Sequence, residues 1–427
     1  MKLNNTVIGV FFLFNLYTNA QIKDAPQIFT NDGAWCWFSD PRAVSINNTI
    51  YSGWVSSNGN IMVASFNKKT DVITEKRILY KFDKDDHANP SFLVLPDKRI
   101  MIFFTAHNTR GHKLKKSAIF YSTTINPEDI SKWNKLQKIT KNTKGKMGFC
   151  YTNPVMLSQE NNRIYLFWRG ANWKPTFSYS DNLGGNWSKP KTFIKSKRKK
   201  EKRPYMKVYS NNSNEIHFAF TDGHPNNEPL NSLYYVKYKN GAFYKANGTE
   251  IGKLKSLPIK HEKCDIIFQG DNLTRSWVWD LGADKKGNPS ILYTRFLKKT
   301  KHEYYYAKWY ENSWLNSKIT DAGTTFTKNS KKWKSEIYYS GGICLDKKNL
   351  NTVYYSKPVN GIFEIFKSSI NPINNRWEEF PISTKSSKNN IRPINIQIKN
   401  QNYLLWMYNS KYLHYKDFHT YIKIKKI

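Results

Sequence analysis

Cysteine is scarce in this chain of 427 residues. Its four cysteines, at positions 36, 150, 264 and 344, are widely and evenly spaced, and no two of them form a CxxC pair. This spacing excludes a disulfide framework of the kind that holds small secreted domains together. We expect buried thiols, with one or two long-range bridges as the alternative.

Long apolar runs are also missing beyond the N-terminus. The run at residues 7–14 is too short to span a bilayer. It lies between Lys2 and a segment ending at Ala20 that resembles a signal-peptide cleavage site. Residues 1–20 are therefore predicted to be a secretory signal peptide, with the mature chain beginning near Gln21. We expect a secreted or periplasmic protein without membrane insertion, and a buried N-terminal strand is the alternative.

Acidic residues are few compared with basic ones. The chain has 32 Asp and Glu against 68 Lys and Arg, which gives a formal net charge of +36. The positive electrostatic field of such a chain attracts polyanions. Export argues against nucleic acid, and the lack of a basic amphipathic helix argues against a lipid surface. An acidic polysaccharide remains as the expected partner, although a lysine-rich compositional habit is an alternative source of part of the charge.

Helical periodicity is almost absent, whereas one sequence pattern typical of β-structure recurs seven times. In each copy a polar turn precedes a hydrophobic strand that often ends in an aromatic residue. The seven strands are residues 50–55, 100–104, 164–168, 216–220, 289–294, 350–356 and 403–408. Their spacing of about 50 to 75 residues matches a four-stranded blade with its loops. The sequence therefore predicts an all-β fold, a seven-bladed β-propeller, as a single domain over residues 21–427.

Three further segments have expected places in this ring. Residues 180–187 (SDNLGGNW) resemble the structural Asp-box turn of sialidase-like propellers, with Asn182 in place of the usual aspartate, and an unrelated hairpin turn is the alternative. The tail at 412–427 is expected to supply a closing strand. The aromatic segment 35–38 is expected to pack in the core of the first blade, and Arg42 is a candidate to line the channel.

Two histidines lie at the outer ends of a predicted hairpin. His87 precedes the apolar run 92–95, a turn follows at 96–99, and the strand 100–104 leads to His107. Because a hairpin brings its outer ends together, the two imidazoles are expected to lie side by side, where they can transfer protons or hold an anion. The alternative is that one histidine caps a strand and the other is solvated.

The next two units contribute further polar groups at matching strand ends. Tyr151 and Arg169 belong to one unit, and Tyr205 and His224 to the next. Since equivalent blade ends meet at the channel, these groups are expected to share a pocket with the histidines. No carboxylate pair of the kind used by most glycosidases is evident. Eliminative cleavage at a uronic acid instead needs a cation for the carboxylate, a base and an acid, which suit Arg, His and Tyr.

Several motifs resemble the BNR-4 propeller group, which includes the ulvan lyases of polysaccharide lyase families 24 and 25. They are residues 32–44, the two histidines above, and residues 203–205, 220–226, 231–249 and 276–294, so that the resemblance covers nearly the whole mature chain. The resemblance implies a seven-bladed propeller that cleaves ulvan, a sulfated polymer of rhamnose and uronic acid, by β-elimination.

The same resemblance implies roles for six residues. It implies that His87, His107 and Tyr151 are catalytic and that Arg169, Tyr205 and His224 bind the substrate and neutralise its carboxylate. It leaves open which histidine is the base.

A metal site is a further expectation. His261 and Cys264 have the i, i+3 spacing that suits zinc, and His224 is a candidate third ligand. We expect a structural Zn or Ca if a metal is bound, and no cofactor for the chemistry.

The expected protein is a monomeric polysaccharide lyase acting on an acidic sulfated polysaccharide, without nucleic acid as a partner. The alternatives are an exo-acting, rhamnosidase-like glycoside hydrolase on the same scaffold and a non-catalytic glycan-binding propeller.

Overall fold

The computed structural model describes residues 25–107, 117–145, 148–196, 203–298, 301–324 and 340–427. The predicted signal peptide at 1–20 lies outside the described residues. Within these ranges the chain forms seven antiparallel sheets arranged as the blades of one propeller. The same ranges contain no helix with the length and apolar character needed to cross a bilayer.

Each of the first three blades is a four-stranded antiparallel sheet in sequential order. Blade one consists of β2 (Ala43–Ile46), β3 (Thr49–Val55), β4 (Ile61–Asn67) and β5 (Val72–Leu79). Blade two consists of β6 (Ser91–Val94), β7 (Ile100–Phe104), β8 (Ile119–Thr123) and β9 (Gln137–Ile139). Blade three consists of β10 (Asn153–Leu157), β11 (Arg163–Arg169), β12 (Pro175–Ser180) and β13 (Lys191–Thr192).

Blade four has additional strands, and a short parallel pair lies beside it. The pair is β14 (Ile194–Lys195) with β20 (Ile259–Lys260). Blade four consists of β15 (Met206–Ser210), β16 (Glu215–Thr221), β17 (Leu233–Lys239), β18 (Ala242–Tyr244), β19 (Glu250–Lys253) and β21 (Asp265–Phe268). Short 3-10 helices are Asp86–Ala88, Ser158–Glu160, Ala171–Trp173, Leu254–Ser256 and His261–Lys263.

The last three blades return to four strands each. Blade five consists of β22 (Arg275–Ala283), β23 (Pro289–Lys298), β24 (Lys301–Tyr310) and β25 (Ser313–Gly323). Blade six consists of β26 (Ile343–Leu345), β27 (Thr352–Val359), β28 (Ile362–Ile370) and β29 (Trp377–Pro381). Blade seven consists of β30 (Asn390–Ile398), β31 (Gln401–His414), β32 (Asp417–Lys426) and, from the N-terminus, β1 (Gln27–Thr30).

The seven copies of the recurrent sequence pattern coincide with the second strands of the seven blades. These strands pack against neighbouring blades on both faces, so they read as continuous apolar runs rather than alternating ones. All five residues of β7 and all seven of β16 are buried. Asparagines suit the preceding turns because they tolerate left-handed backbone, as Asn47 (φ 52°) and Asn212 (φ 57°) illustrate. The prediction of a seven-bladed, all-β ring is confirmed.

The ring closes by pairing the two ends of the chain. β1 pairs antiparallel with β32, with Gln27 opposite Ile424 and Thr30 opposite Ile422. Ile422 and Ile424 are 0% and 2% exposed. The predicted closing strand at the C-terminus therefore exists, and its two isoleucines share a buried face.

Truncation of Ile422 is expected to destabilise the whole ring. Ile422→Ala should lower the free energy of unfolding by about 2 to 5 kcal/mol, because it removes a buried side chain from the closing sheet. Ile373→Ala is the matched control, since Ile373 is 93% exposed. Chemical denaturation of both variants checks this, and equal small losses would show that the closing strand contributes little.

The aromatic segment before blade one has a different place from the one expected. Trp35 and Trp37 are buried at 0% and 2% exposure, but they lie between β1 and β2 and pack across the ring instead of in the first blade. Trp37 stacks on Trp279 of blade five at 4.1 Å, and the Trp35 Nε1–H donates to the Arg392 carbonyl of blade seven at 3.2 Å. The expectation of first-blade core was wrong because the segment crosses the ring centre.

Below this segment lies the central channel, with a volume of about 700 Å³. Arg42 lines it, as expected, and its Nε–H donates to Asp40 Oδ1 at 2.9 Å. Lys207 also pairs with Asp40. The channel wall beneath the site is thus held by a buried network of charges.

The Asp-box-like segment forms the turn after β12. The Asn186 N–H donates to Asn182 Oδ1 at 2.8 Å, and the Gly184 N–H donates to Ser180 Oγ at 2.9 Å. Trp187 packs edge-on against Tyr121 of blade two at 5.8 Å. The segment is a structural turn that joins two blades, as its sequence indicated.

Candidate active site

The histidine pair lies at the ring face where β6 begins and β7 ends. His87 is in the 3-10 helix Asp86–Ala88 just before β6, and His107 follows β7. Because β6 and β7 are antiparallel neighbours, their outer ends meet. The two imidazoles stack with ring centroids 3.8 Å apart and an interplanar angle of 11°. The predicted juxtaposition of His87 and His107 is therefore present.

A buried carboxylate bridges the two imidazoles. Asp85 Oδ1 lies 2.7 Å from His87 Nδ1, and Asp85 Oδ2 lies 2.9 Å from His107 Nδ1. Asp85 is 0% exposed, so these contacts replace its hydration. Since each Nδ1 faces Asp85, each imidazole has its Nε2 directed away from the carboxylate.

The pair is electrostatically asymmetric. Burial lowers the pKa of His87, but Cys36, Asp85 and Asp86 together raise it well above its ordinary value. Burial and the neighbouring His87 lower the pKa of His107 to about 4, although Asp85 opposes them. Burial raises the pKa of Asp85, yet His107 and His87 outweigh this and hold it well below its usual range. At neutral pH the site contains a cationic His87 and a neutral His107.

A second buried network holds the histidine helix in place. The Arg392 Nη1–H donates to Asp86 Oδ2 at 2.6 Å, and the Tyr412 hydroxyl donates to the same oxygen at 2.6 Å. Arg392 comes from blade seven, where its φ of 51° marks the bulge in β30. Blade seven therefore fixes the orientation of the helix that carries His87.

Tyr151 and Arg169 come from blade three and lie beside the histidines. The Tyr151 ring is 5.6 Å from that of His87 and 5.8 Å from that of His107. The Arg169 guanidinium lies 4.7 Å from the centre of the Tyr151 ring. Burial and nearby Tyr205 raise the pKa of Tyr151 well above its ordinary value, so its hydroxyl stays protonated. Its φ of 60° is left-handed, a strained conformation that often occurs at functional sites.

Tyr205 and His224 of blade four extend the site from Arg169. The Arg169 guanidinium is 4.6 Å from the centre of the Tyr205 ring, and that ring is 5.7 Å from His224. His224 also packs edge-on against Trp277 at 4.2 Å. Burial and the charge of Arg169 lower the pKa of His224 to about 3, so its imidazole is neutral. The structure thus joins all six predicted catalytic and substrate-binding residues through consecutive contacts.

Several residues at the site were not anticipated from the sequence. Asp85 is one, although the Asp-Asp-His run was a visible signal. The turn between β31 and β32 supplies two more. The Tyr415 ring stands edge-on to His87 at 4.7 Å, and Lys416 Nζ lies 3.8 Å from Asp85 Oδ2. Trp173 is a further one, with the Arg169 guanidinium 4.4 Å from the centre of its ring.

The proposed metal ligands are not brought together. Among the described residues, the single set of three potential ligands with atoms within 4.8 Å of one another is Asp85, His87 and His107. His261 Nδ1 instead lies 3.4 Å from the Lys195 carbonyl, and Cys264 is a buried thiol in the core of blade four. A zinc site made of His224, His261 and Cys264 does not fit this geometry. All four cysteines are buried and unpaired by disulfides.

The chain matches a known protein family. A family model described as a BNR repeat-containing family member (BNR_4) matches residues 49–322. No curated protein sequence matches the chain.

Solved structures resemble the chain over almost its full length. One is an ulvan lyase of polysaccharide lyase family PL25 bound to -[GlcA(1-4)Rha3S]-, with 15% identity, a TM-score of 0.68, and 94% of this chain and 95% of that chain covered. Another structure of a PL25 ulvan lyase has 16% identity, the same TM-score of 0.68 and the same coverage of 94% and 95%. The polysaccharide lyase Uly1 has 12% identity and a TM-score of 0.60, with 96% and 94% covered. At identities of 12% to 16%, the similarity to these structures establishes the fold alone.

Proposed function

The chain belongs to the BNR repeat-containing family, and on that premise we propose that it is a polysaccharide lyase that cleaves an acidic sulfated polysaccharide by β-elimination at a uronic acid. Ulvan is the leading substrate, because the structures with a similar fold include ulvan lyases. The proposal includes export through the N-terminal signal peptide and action as a monomer.

One observation carries the proposal. Asp85 holds two stacked imidazoles whose pKa values are shifted in opposite directions, and Tyr151 and Arg169 lie beside them. Elimination at a uronic acid needs a base for the C5 proton, an acid for the leaving O4 oxygen and positive charge for the carboxylate. These three requirements match the groups present. Hydrolysis through two carboxylic acids would need a different set.

The geometry favours His107 as the base. It is neutral at pH 7, and its side chain is 13% exposed against 4% for His87. With Nδ1 hydrogen-bonded to Asp85, the Nε2 lone pair of His107 is available to a proton. Asp85 stabilises the imidazolium that forms, as a buried carboxylate does for a catalytic histidine in other enzymes.

Tyr151 is the proposed acid, and Arg169 the proposed partner of the uronate carboxylate. As His107 takes the C5 proton, the C5–H electron pair forms the C4–C5 double bond, and the C4–O4 bond breaks. The Tyr151 hydroxyl gives its proton to O4, and transfer through solvent from His107 to the tyrosinate restores both groups. The Arg169 guanidinium suits bidentate contact with the carboxylate and lowers the barrier to loss of the C5 proton. Tyr205 and His224 extend this binding surface.

The activity is expected to be lost on the acid side only near pH 4. Because the base must be neutral, kcat/KM should fall as the pH drops through the His107 pKa of about 4. A histidine with its ordinary pKa would give an acid limb near pH 6.5. Initial rates on ulvan across the pH range check this, and a limb near pH 6.5 would show that His107 is not the depressed base.

The reaction class is tested with purified protein and ulvan. The proposal predicts a rise in ultraviolet absorbance from the unsaturated uronate at the new chain end. New reducing ends without that absorbance would instead identify a glycoside hydrolase. Binding without turnover would identify a glycan-binding propeller.

A further inference from the structure

A groove lies on the ring face opposite the histidine pair. It is formed by the turns between the first two strands of blades four, five and six, and its volume is about 1260 Å³. His87 precedes the first strand of its blade and His107 follows the second, so the turn joining those strands lies at the other face. The groove is therefore separate from the site described above.

The groove is strongly positive. Its lysines are Lys239, Lys285, Lys286, Lys308, Lys347 and Lys348. Glu215 and Asp284 are the carboxylates among its lining residues. Glu215 Oε1 accepts from Lys239 Nζ at 2.9 Å, and Asp284 Oδ1 accepts from the Lys286 and Asn288 backbone N–H groups at 2.8 Å each. Lys347 is also paired, since its Nζ lies 2.5 Å from Asp280 Oδ1. Six lysines against these three carboxylates leave a net positive charge, which attracts anions.

Aromatic rings lie among these lysines. Tyr310 is 50% exposed, and Lys308 Nζ lies 5.3 Å from the centre of its ring. Trp309 also lines the groove and is held by edge-on packing against Trp314 at 5.5 Å. Exposed rings offer faces for sugar stacking, while adjacent ammonium groups suit sulfate or carboxylate substituents. This combination fits an anionic glycan better than a small ion.

We propose that this groove is a second binding site for the same anionic polysaccharide. The choice of polymer rests on the proposed function, whereas the groove itself is defined by its lysines and aromatic rings. A polymer held at one face raises the effective concentration of its other segments at the catalytic face. The groove thereby keeps the enzyme on a long chain between cleavage events.

The test measures polymer binding apart from turnover. Full-length protein with Tyr151→Phe, which should bind without cleaving, is titrated with ulvan by calorimetry. Lys285→Gln with Lys286→Gln in that background should weaken binding by roughly three- to tenfold, as expected for the loss of two exposed ionic contacts. The matched control is Lys132→Gln with Lys135→Gln, two exposed lysines of blade two outside the groove, which should bind like the parent.

Turnover separates this proposal from the proposed function. In otherwise wild-type protein, the Lys285→Gln and Lys286→Gln pair should leave kcat on a short ulvan oligosaccharide unchanged while KM for the polymer rises. Normal eliminative turnover with unchanged polymer binding would overturn the groove proposal and leave the lyase proposal standing. If the two lysine changes weaken polymer binding but the wild-type protein forms no unsaturated product, the groove proposal stands and the lyase proposal is overturned.

A last comparison distinguishes a glycan site from a general polyanion surface. Tyr310→Ala should weaken binding of ulvan and leave binding of double-stranded DNA unchanged, because the sugar rings of ulvan can stack on Tyr310 whereas the bases of a duplex are stacked inside the helix. If Tyr310→Ala has no effect, and the two lysine changes weaken DNA and ulvan equally, the groove is not a glycan site.

Discussion

Replacing Asp85 by asparagine is expected to lower kcat by roughly 10³- to 10⁴-fold, the scale seen when an aspartate that orients a catalytic histidine becomes an amide. The carboxylate accepts from the Nδ1 atoms of both His87 and His107. An asparagine offers one acceptor oxygen and one donor NH₂, so one imidazole must change tautomer or lose its hydrogen bond. The loss of the negative charge also removes one of the interactions that raise the pKa of His87, while Asp86 remains 3.0 Å from its Nδ1.

The Asp85→Asn experiment has a control on the same hairpin. Asp97 lies in the turn at the far end of β6 and β7, where its side chain is 47% exposed and pairs with Arg99. Asp97→Asn should leave the absorbance-based kcat unchanged. If Asp85→Asn retains activity within about tenfold of the wild type, Asp85 does not organise the base, because general acid–base groups typically contribute 10²- to 10⁴-fold.

The second large effect is expected at the proposed acid. Tyr151→Phe should lower kcat by roughly 10²- to 10⁴-fold, because it removes the hydroxyl that protonates the leaving oxygen. The ring and its contacts with Phe38 and Arg169 remain, so KM should change little. Initial rates on ulvan, together with polymer binding by calorimetry, separate the two quantities.

Tyr205→Phe provides the comparison for Tyr151→Phe. Tyr205 contacts Arg169 and His224, and its ring lies 5.9 Å from that of Tyr151, but the proposed mechanism gives its hydroxyl no proton to transfer. Its change should therefore affect mainly KM. Equal losses of kcat in both variants would mean that Tyr151 has no special part in proton transfer.

The architecture was predictable because its signals are local. Each second strand has a polar turn before it and an apolar run within it, and both follow from residues adjacent in sequence. The same locality placed His87 beside His107, since a single hairpin joins them. Arg169 and His224 followed from the equivalence of strand ends in successive blades. The resemblance to the BNR group was confirmed by the family match over residues 49–322.

Features that depend on distant parts of the chain were not predictable. Arg392, Tyr415 and Lys416 reach the site because blade seven closes the ring beside blade one, which brings residues some 300 positions apart into contact, as in the pairing of Arg392 with Asp86. The sign of each histidine's pKa shift depends on burial and on which charged groups surround the imidazole. Neither quantity is visible in sequence spacing.

Spacing alone was also misleading at one place. His261 and Cys264 have a ligand-like separation, but they lie in a short 3-10 helix and its C-cap, where Cys264 is drawn into the core of blade four. An i, i+3 pair shares a helix face only where the helix continues through both residues, and here the helix ends at Lys263 and Cys264 is extended. For Trp35 and Trp37, apolar character correctly predicted that the side chains are buried. It did not predict that they pack against blades five and seven.

Mass spectrometry of the products from ulvan tests the central claim most directly. The account predicts oligosaccharides that end in a C4–C5 unsaturated uronate and are lighter by one water than the products of hydrolysis. Saturated oligosaccharides from an active enzyme would contradict elimination by His107 and Tyr151.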